Sequence, residues 1–173
     1  MAAPAIMPEA LPAVSAAAFK EAMSRVAGAV HIVTTDGPAG LAGFTATAVC
    51  SVTADPPTLL VCVNETSSVG RIFLANPTIA INTVGAAQND LAMLFGGKTP
   101  VEDRFAAASW TKGTGGAPIL AGAVATFDCV VSASQTVGTH RVLFCQVVAT
   151  TVSGDQAEPS IYLGRGFRSL APL

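Results

Sequence analysis

The sequence predicts a mainly β fold, a closed antiparallel barrel carrying a few short helices, and three observations support it. Six or seven segments of strand length alternate apolar and polar residues or run continuously apolar. Two or three short segments show helical spacing instead. Many of the connections between strands are hairpin-length and rich in Gly, Pro, Asn and Asp, which favours antiparallel neighbours closing into a barrel.

In chain order, Ser15 is placed to cap a helix in which Phe19, Met23 and Val26 recur, with Gly28 as its stop. AVHIVTT, residues 29–35, reads as a strand and DGPAG as the turn after it. GFTATAVCSVT, residues 43–53, reads as one strand. Phe44, Ala46, Ala48, Cys50 and Val52 form its apolar face, while Thr45, Thr47, Ser51 and Thr53 form a face of hydroxyls interrupted by Val49. A strand face turned to water usually carries Lys, Glu or Arg, and this one has no charge.

Asp55-Pro56-Pro57 ends that strand, and TLLVCVN, residues 58–64, is apolar enough to be buried on both faces. SSVGRIFLANP follows as a helix capped by Thr66 or Ser67 and stopped at Asn76-Pro77. TIAINTV is a strand, AQNDLAMLF a helix closed by Gly96-Gly97, EDRFAAA a further helical turn, and 113–116 a loop. AVATFDCVVSAS alternates Ala125, Phe127, Cys129 and Val131 against Thr126, Asp128 and Ser132. HRVLFCQVVATTV is a further long strand and SIYL a short last one.

The chain has 173 residues, half of them apolar and only 12% charged, with a mean hydropathy of +0.55. That suits one domain, 15–173, preceded by a loose arm, 1–14, and it leaves apolar surface for a second copy, so a homodimer is expected. The arm has no basic residue before Lys20 and is broken by Pro4, Pro8 and Pro12, which is unlike a signal peptide. No run approaches the roughly 18 to 20 apolar residues of a membrane span. Nine scattered Lys and Arg against a net charge of −2 give no basic patch for nucleic acid. Cys50, Cys62, Cys129 and Cys145 lie far apart in strand-like runs without metal spacing, as small buried hydrophobes in a reducing cytoplasm would.

Acid–base chemistry finds little to work with. There are two histidines and no Gly-x-Ser-x-Gly elbow. His31 sits mid-strand as a structural residue would, and Asp55, Asp90, Glu102 and Asp103 fall at turns or helix starts. No metal set can be built. What remains is hydrogen bonding without charge: the hydroxyl face, and Asn64, Thr66, Ser67 and Ser68. Such groups suit the polar edge of a heteroaromatic ring and a polyhydroxyl chain, and a helix opening at Ser67 would accept a phosphate. Ordinary strand threonines and an ordinary N-cap account for the same residues, and composition leaves both readings open.

From about Phe19 to Leu170 the chain resembles the short-chain flavin reductases with an FMN-binding split barrel of antiparallel Greek-key type. The resembling stretches are FKEAMSRVAGAVHIVTTDGPAG, GFTATAVCSVTADPPTLLVCVN, LAMLFGGKTPVEDRFAAASW and VGTHRVLFCQV. Within that family it is most similar to the branch serving pyrimidine utilisation. The resemblance implies that Thr45, Ala46 and Thr47 line the ribityl chain and ring. It implies that Cys50 lies with the cofactor and that Ser51, Val52 and Thr53 meet the pyrimidine edge. Asn64, Ser67 and Ser68 match the segment reaching the ribityl and phosphate, His140 the position where nicotinamide stacks, and Arg165 a C-terminal segment near the cleft. The implied cofactors are FMN, with FAD as alternative, and NADH, with NADPH as alternative. The implied activity is hydride transfer to a flavin that then diffuses to a partner monooxygenase in the cytoplasm. An FMN-binding electron carrier, a reductase component of an aromatic-compound monooxygenase using FAD, and a noncatalytic binding module are the rival expectations.

Overall fold

In the computed structural model, residues 12–154 and 158–170 are described; the expected arm lies outside them as far as residue 11. Chain order gives α1 (Ala16–Met23), β1 (Gly28–Ala29), β2 (His31–Thr35), β3 (Ala42–Ala46), β4 (Val49–Ala54) and β5 (Pro57–Asn64). Next come α2 (Gly70–Ala75), β6 (Thr78–Thr83), α3 (Asn89–Gly96), α4 (Val101–Ala106), β7 (Trp110–Lys112) and β8 (Pro118–Leu120). The long hairpin β9 (Ala125–Val137) and β10 (His140–Val152) and the short one β11 (Ile161–Leu163) and β12 (Gly166–Arg168) complete the chain.

Seven strands pair antiparallel in the order β3-β2-β6-β9-β10-β5-β4. The hydroxyl stretch is therefore two strands, not one, and they form the two opposite edges of the sheet. Only Thr47 and Ala48 separate them, a reach of about 11 Å at most from Ala46 to Val49. Seven strands laid flat would put the edges roughly 29 Å apart. The sheet must curl until its edges meet, and the result is a split barrel. The expected ring of hydrogen bonds does not close, because β3 and β4 pair with β2 and β5 but not with each other. At the junction Cys62 N–H donates to the Ala48 carbonyl at 3.2 Å.

Period two distributes β2 and β6 between two cores. Val33, Ile79 and Ile81 point into the barrel with Val61, Val63, Phe73 and Leu143. Ile32 points outward, where Leu91, Ala92 and Phe95 of α3 and Leu120 of β8 cover it. Asn82, fully buried on that outer face, donates to the Ile32 carbonyl at 3.0 Å and accepts from Leu120 N–H at 2.8 Å, which fastens the β7–β8 hairpin onto the sheet.

Several elements differ from expectation for identifiable reasons. β5 buries Val61 and Val63, but Leu60 and Cys62 on its other face are only half-buried, because that face borders the open seam. The polar residues Thr126 and Asp128 of β9 are buried, since the 113–116 loop folds over them and Gly115 N–H donates to Asp128 Oδ2 at 3.1 Å. Ser15 does cap α1, accepting from Ala18 N–H at 3.1 Å, yet none of that helix is buried. Of the cysteines, Cys129 and Cys145 are buried, Cys62 is half-buried and Cys50 is exposed on the edge strand β4. Burial pushes the Cys129 and Cys145 thiols up to about 12.

His31 behaves as a structural histidine: it is 8% exposed, its Nδ1 lies 3.1 Å from Thr83 Oγ1, and burial lowers its pKa to about 4. Because the folded form holds the ring neutral, the unfolded chain takes up the proton first as pH falls, so stability should drop through the window from about 6.5 down to 4. A loss of about 2 kcal/mol between pH 7.5 and 5 is expected. Denaturant midpoints across that range check it, and His31→Gln should flatten the slope.

Candidate functional site

Two concavities flank the seam. The three residues Thr45, Ala46 and Thr47, at the end of β3, form a shared floor, and Gly96 and Gly97, at the end of α3, form the opposite rim. On one side of this floor lies a polar lobe of about 320 Å³, bordered by Cys62, Asn64, Ser67, Ser68 and His140. On the other lies an apolar lobe of about 380 Å³, walled by Val30, Ala92, Met93, Tyr162 and Phe167. The Tyr162 and Phe167 rings meet edge to face, with centroids 5.6 Å apart.

Each wall has a local cause. Thr45 donates its hydroxyl to the Ala92 carbonyl at 2.5 Å, which ties β3 to α3. Gly43 lets the same helix approach, because a Cβ there would lie 2.5 Å from Phe95 Cε1. Phe95, Phe105 and Trp110 pack as an aromatic triad with centroids 4.9 to 5.6 Å apart. Arg104 crosses beneath the rim and donates to the carbonyls of Thr99 at 2.6 Å and of Gly43 and Gly97 at 3.0 Å.

The polar lobe is held by a loop against a hairpin turn. Asn64 Oδ1 accepts from Thr66 N–H at 3.0 Å and from the Thr66 hydroxyl at 2.8 Å, and the Ser67 hydroxyl donates to the Asn64 carbonyl at 2.8 Å. Glu65 N–H donates to the Thr139 carbonyl, and Arg141 Nε donates to Glu65 Oε1 at 2.6 Å. That guanidinium holds the Glu65 carboxyl below its usual range. The helix expected to open at Ser67 begins at Gly70, because Ser67 and Gly70 are first used in tight turns back to Asn64 and Ser67. Among the described residues the N–H groups of Ser68 and Val69 find no acceptor, and both residues border the lobe. His140 is exposed, with Nδ1 3.0 Å from Thr139 Oγ1. Gly138 serves the two-residue turn before it through a φ of +57°, not through close backbone approach, since nothing lies within 4 Å of its would-be Cβ.

The structure thus brings Thr45, Ala46, Thr47, Asn64, Ser67, Ser68 and His140 to one cleft. It does not bring Cys50, Ser51, Val52 and Thr53 there: they sit exposed on β4, where Thr53 Oγ1 accepts from Asp55 N–H. Arg165 lies in an adjoining depression that shares Thr47 and Tyr162 with the cleft. It adopts φ +61° in the β11–β12 turn, and its guanidinium pairs with Glu21 of α1 at 2.7 Å. Gly96, Gly97, Arg104, Met93, Tyr162 and Phe167 were not singled out from the residues themselves. Met93, Gly96, Gly97 and Arg104 lie in the resembling stretch LAMLFGGKTPVEDRFAAASW, which is their one signal, and Tyr162 and Phe167 lie in none of the resembling stretches.

No Asp or Glu borders either lobe. Among the described residues no group of His, Cys, Asp and Glu could hold a metal ion, and no helix is long and apolar enough to cross a membrane. Residues 23–171 match the family model described as flavin reductase like domain. The chain belongs to the flavin reductase family.

This flavin reductase is 52% identical over 153 residues to the FMN reductase (NADH) RutF of Stutzerimonas stutzeri, covering 88% of this chain and 87% of that one. It is 52% identical over 169 residues to the RutF of Pseudomonas syringae pv. syringae, covering 98% and 93%. Among solved structures it resembles the Streptomyces globisporus NADH:FAD oxidoreductase in complex with NAD and FAD fragments, with a TM-score of 0.82, 28% identity and coverage of 89% and 92%. It also resembles BorF, the flavin reductase component of a bacterial two-component tryptophan halogenase, with a TM-score of 0.83, 25% identity and coverage of 92% and 100%. The expected mainly β, split-barrel fold is the fold these flavin reductases share.

Proposed function

We propose that the chain is an NADH-dependent FMN reductase whose cleft is the two-lobed groove over Thr45-Ala46-Thr47. The observation that carries this is the lining itself: hydroxyls, a side-chain amide and free N–H groups on one side, flat apolar walls on the other, and no carboxylate between them. A flavin needs donors and acceptors for its ring edge and ribityl chain, an apolar wall for its ring faces, and N–H groups for a phosphate. Asn64, Ser67 and Ser68, with the Ser68 and Val69 N–H groups, would hold the ribityl phosphate. Thr47, whose hydroxyl makes no hydrogen bond among the described residues, would serve the ring edge. The hydride chemistry is supplied by the two bound molecules, so the chain's task is to align them and exclude water, and no acid–base pair is required. His140 would border the dihydronicotinamide. The name of the curated relatives supports FMN and NADH, while the FAD-binding structural relative keeps FAD as the alternative flavin.

NADH consumption in air, with FMN, FAD or neither added, tests the reading; consumption with neither flavin above background, or with none of the three, overturns it. Flavin retained through dialysis would make the chain an electron carrier instead. Thr47→Val should raise the dissociation constant for FMN about tenfold, because an unpaired polar group in the cleft costs about 1 to 3 kcal/mol. Ser51→Val, measured beside it by flavin fluorescence quenching, reports whether the site extends onto β4.

Reduced flavin would pass by diffusion to a monooxygenase component, and the resemblance to the branch serving pyrimidine utilisation favours a pyrimidine ring-opening one. Four free cysteines suit the cytoplasm. We also infer a homodimer. Val52, Val130, Val148 and Val152 are 38 to 78% exposed on β4, β9 and β10, and these strands carry no charge from Val49 to Ala54 or from Val142 to Val152. A monomer by light scattering at micromolar concentration would sink the dimer alone.

A further inference from the structure

Arg104 is buried, 5% exposed, and no carboxylate answers it. The ion pairs among the described residues are Arg25–Glu21, Arg141–Glu65 and Arg165–Glu21. Taking a guanidinium out of water without a counter-anion is costly, and an aliphatic side chain could have packed the end of α3 at less expense. Carbonyl dipoles of Thr99, Gly43, Phe95 and Gly97 satisfy its N–H groups. They answer its hydrogen bonding and leave its unit charge in place, since a guanidinium does not deprotonate in proteins. Arg104 borders the polar lobe, and neither lobe has an acid in its lining. Arg104 is the one Lys, Arg, Asp or Glu in the lining of the polar lobe.

We propose that the charge of Arg104 answers the negative charge that a flavin ring acquires on reduction, so that the cleft favours reduced over oxidised flavin. The inference rests on the flavin reading above. The transfer balances without a proton from the protein: the C4–H bond of neutral dihydronicotinamide breaks, the hydride forms an N–H bond at flavin N5, and the ring becomes an anion with its charge spread over N1 and the C2 carbonyl. The nicotinamide leaves as its oxidised, positively charged ring. A cation fixed by carbonyls on β3, on α3 and ahead of α4 needs no rearrangement as that anion forms. A clamp with a purely structural role would hold both redox forms of the ring equally.

The test measures equilibrium binding of riboflavin, oxidised and dithionite-reduced, under anaerobic conditions. Riboflavin lacks the phosphate, so the arms differ only in the ring, which on reduction gains its negative charge and an N5–H, and the comparison with Arg104→Met isolates the charge. The unmodified protein should bind the reduced form on the order of tenfold more tightly. Arg104→Met should abolish that preference, and Arg104→Lys, which keeps the charge without the fork, should retain most of it. Equal affinity for the two forms in the unmodified protein overturns the proposal without any variant having to fold. So does an equal loss for both forms in Arg104→Met. If riboflavin binds in neither state, the flavin cleft fails, and this inference with it.

Discussion

Gly43→Val is expected to destabilise the fold by about 3 kcal/mol, lowering the melting temperature by roughly 6 to 12 °C for a chain of this size. A Cβ at this position would lie 2.5 and 2.8 Å from Phe95 and 3.3 Å from Phe105 Cζ. Phe95 cannot swing aside freely, because Phe105 and Trp110 pack against it and Trp110 Nε1 is tied to the Phe105 carbonyl at 3.0 Å. Relief would have to come from moving α3, and with it the Gly96–Gly97 rim. The variant should therefore lose FMN affinity as well as stability, whereas Thr47→Val should lose affinity alone. Thermal melts and FMN titration of both variants check this; an unchanged melting temperature would mean that α3 shifts without cost.

His140→Ala is expected to lower kcat/KM for NADH by up to about a hundredfold, because misplacing a hydride donor by about 1 Å is enough to do so. FMN affinity and melting temperature should stay near those of the unmodified protein. The structural alternative, a core histidine whose loss leaves a cavity, would weaken both substrates together and lower the melt. The exposed position of His140 at the start of β10 already argues against such a cavity. Steady-state kinetics with each substrate varied, run beside a melt, separate the two outcomes.

What the sequence made legible is what depends on near neighbours. Alternation marked the hydroxyl stretch, Ser15 marked its helix, and Asn64, Ser67 and Ser68 lie close enough along the chain to be read as one cluster. The break at Thr47-Ala48 was invisible because the apolar–polar alternation continues across it in phase: Ala46 and Ala48 are apolar, Thr45 and Thr47 polar, whether the strand is one or two. Asp128 falls on the polar side of an alternating strand, and nothing local announces that a loop 13 residues away folds onto it. The far wall of the cleft was illegible from residue types for the same reason. Met93, Arg104, Tyr162 and Phe167 join Thr45-Ala46-Thr47 around the cleft only once α3, α4 and the β11–β12 hairpin have packed, and Met or Phe in an apolar run signals a core before it signals a wall.

The two-residue join between β3 and β4 makes the barrel a hoop closed by covalent bonds where every other junction in the sheet is closed by a ladder. A hoop of this kind is expected to open first at its weld. Thr45-Ala46-Thr47 lies on one side of that weld and Asn64 and His140 on the other, so a molecule spanning the polar lobe acts as a removable staple. Occupancy would then be felt as slower amide exchange at Ala46 to Val49 and Cys62, while the centre of the sheet, β6 and β9, already protected by partners on both sides, would scarcely register it.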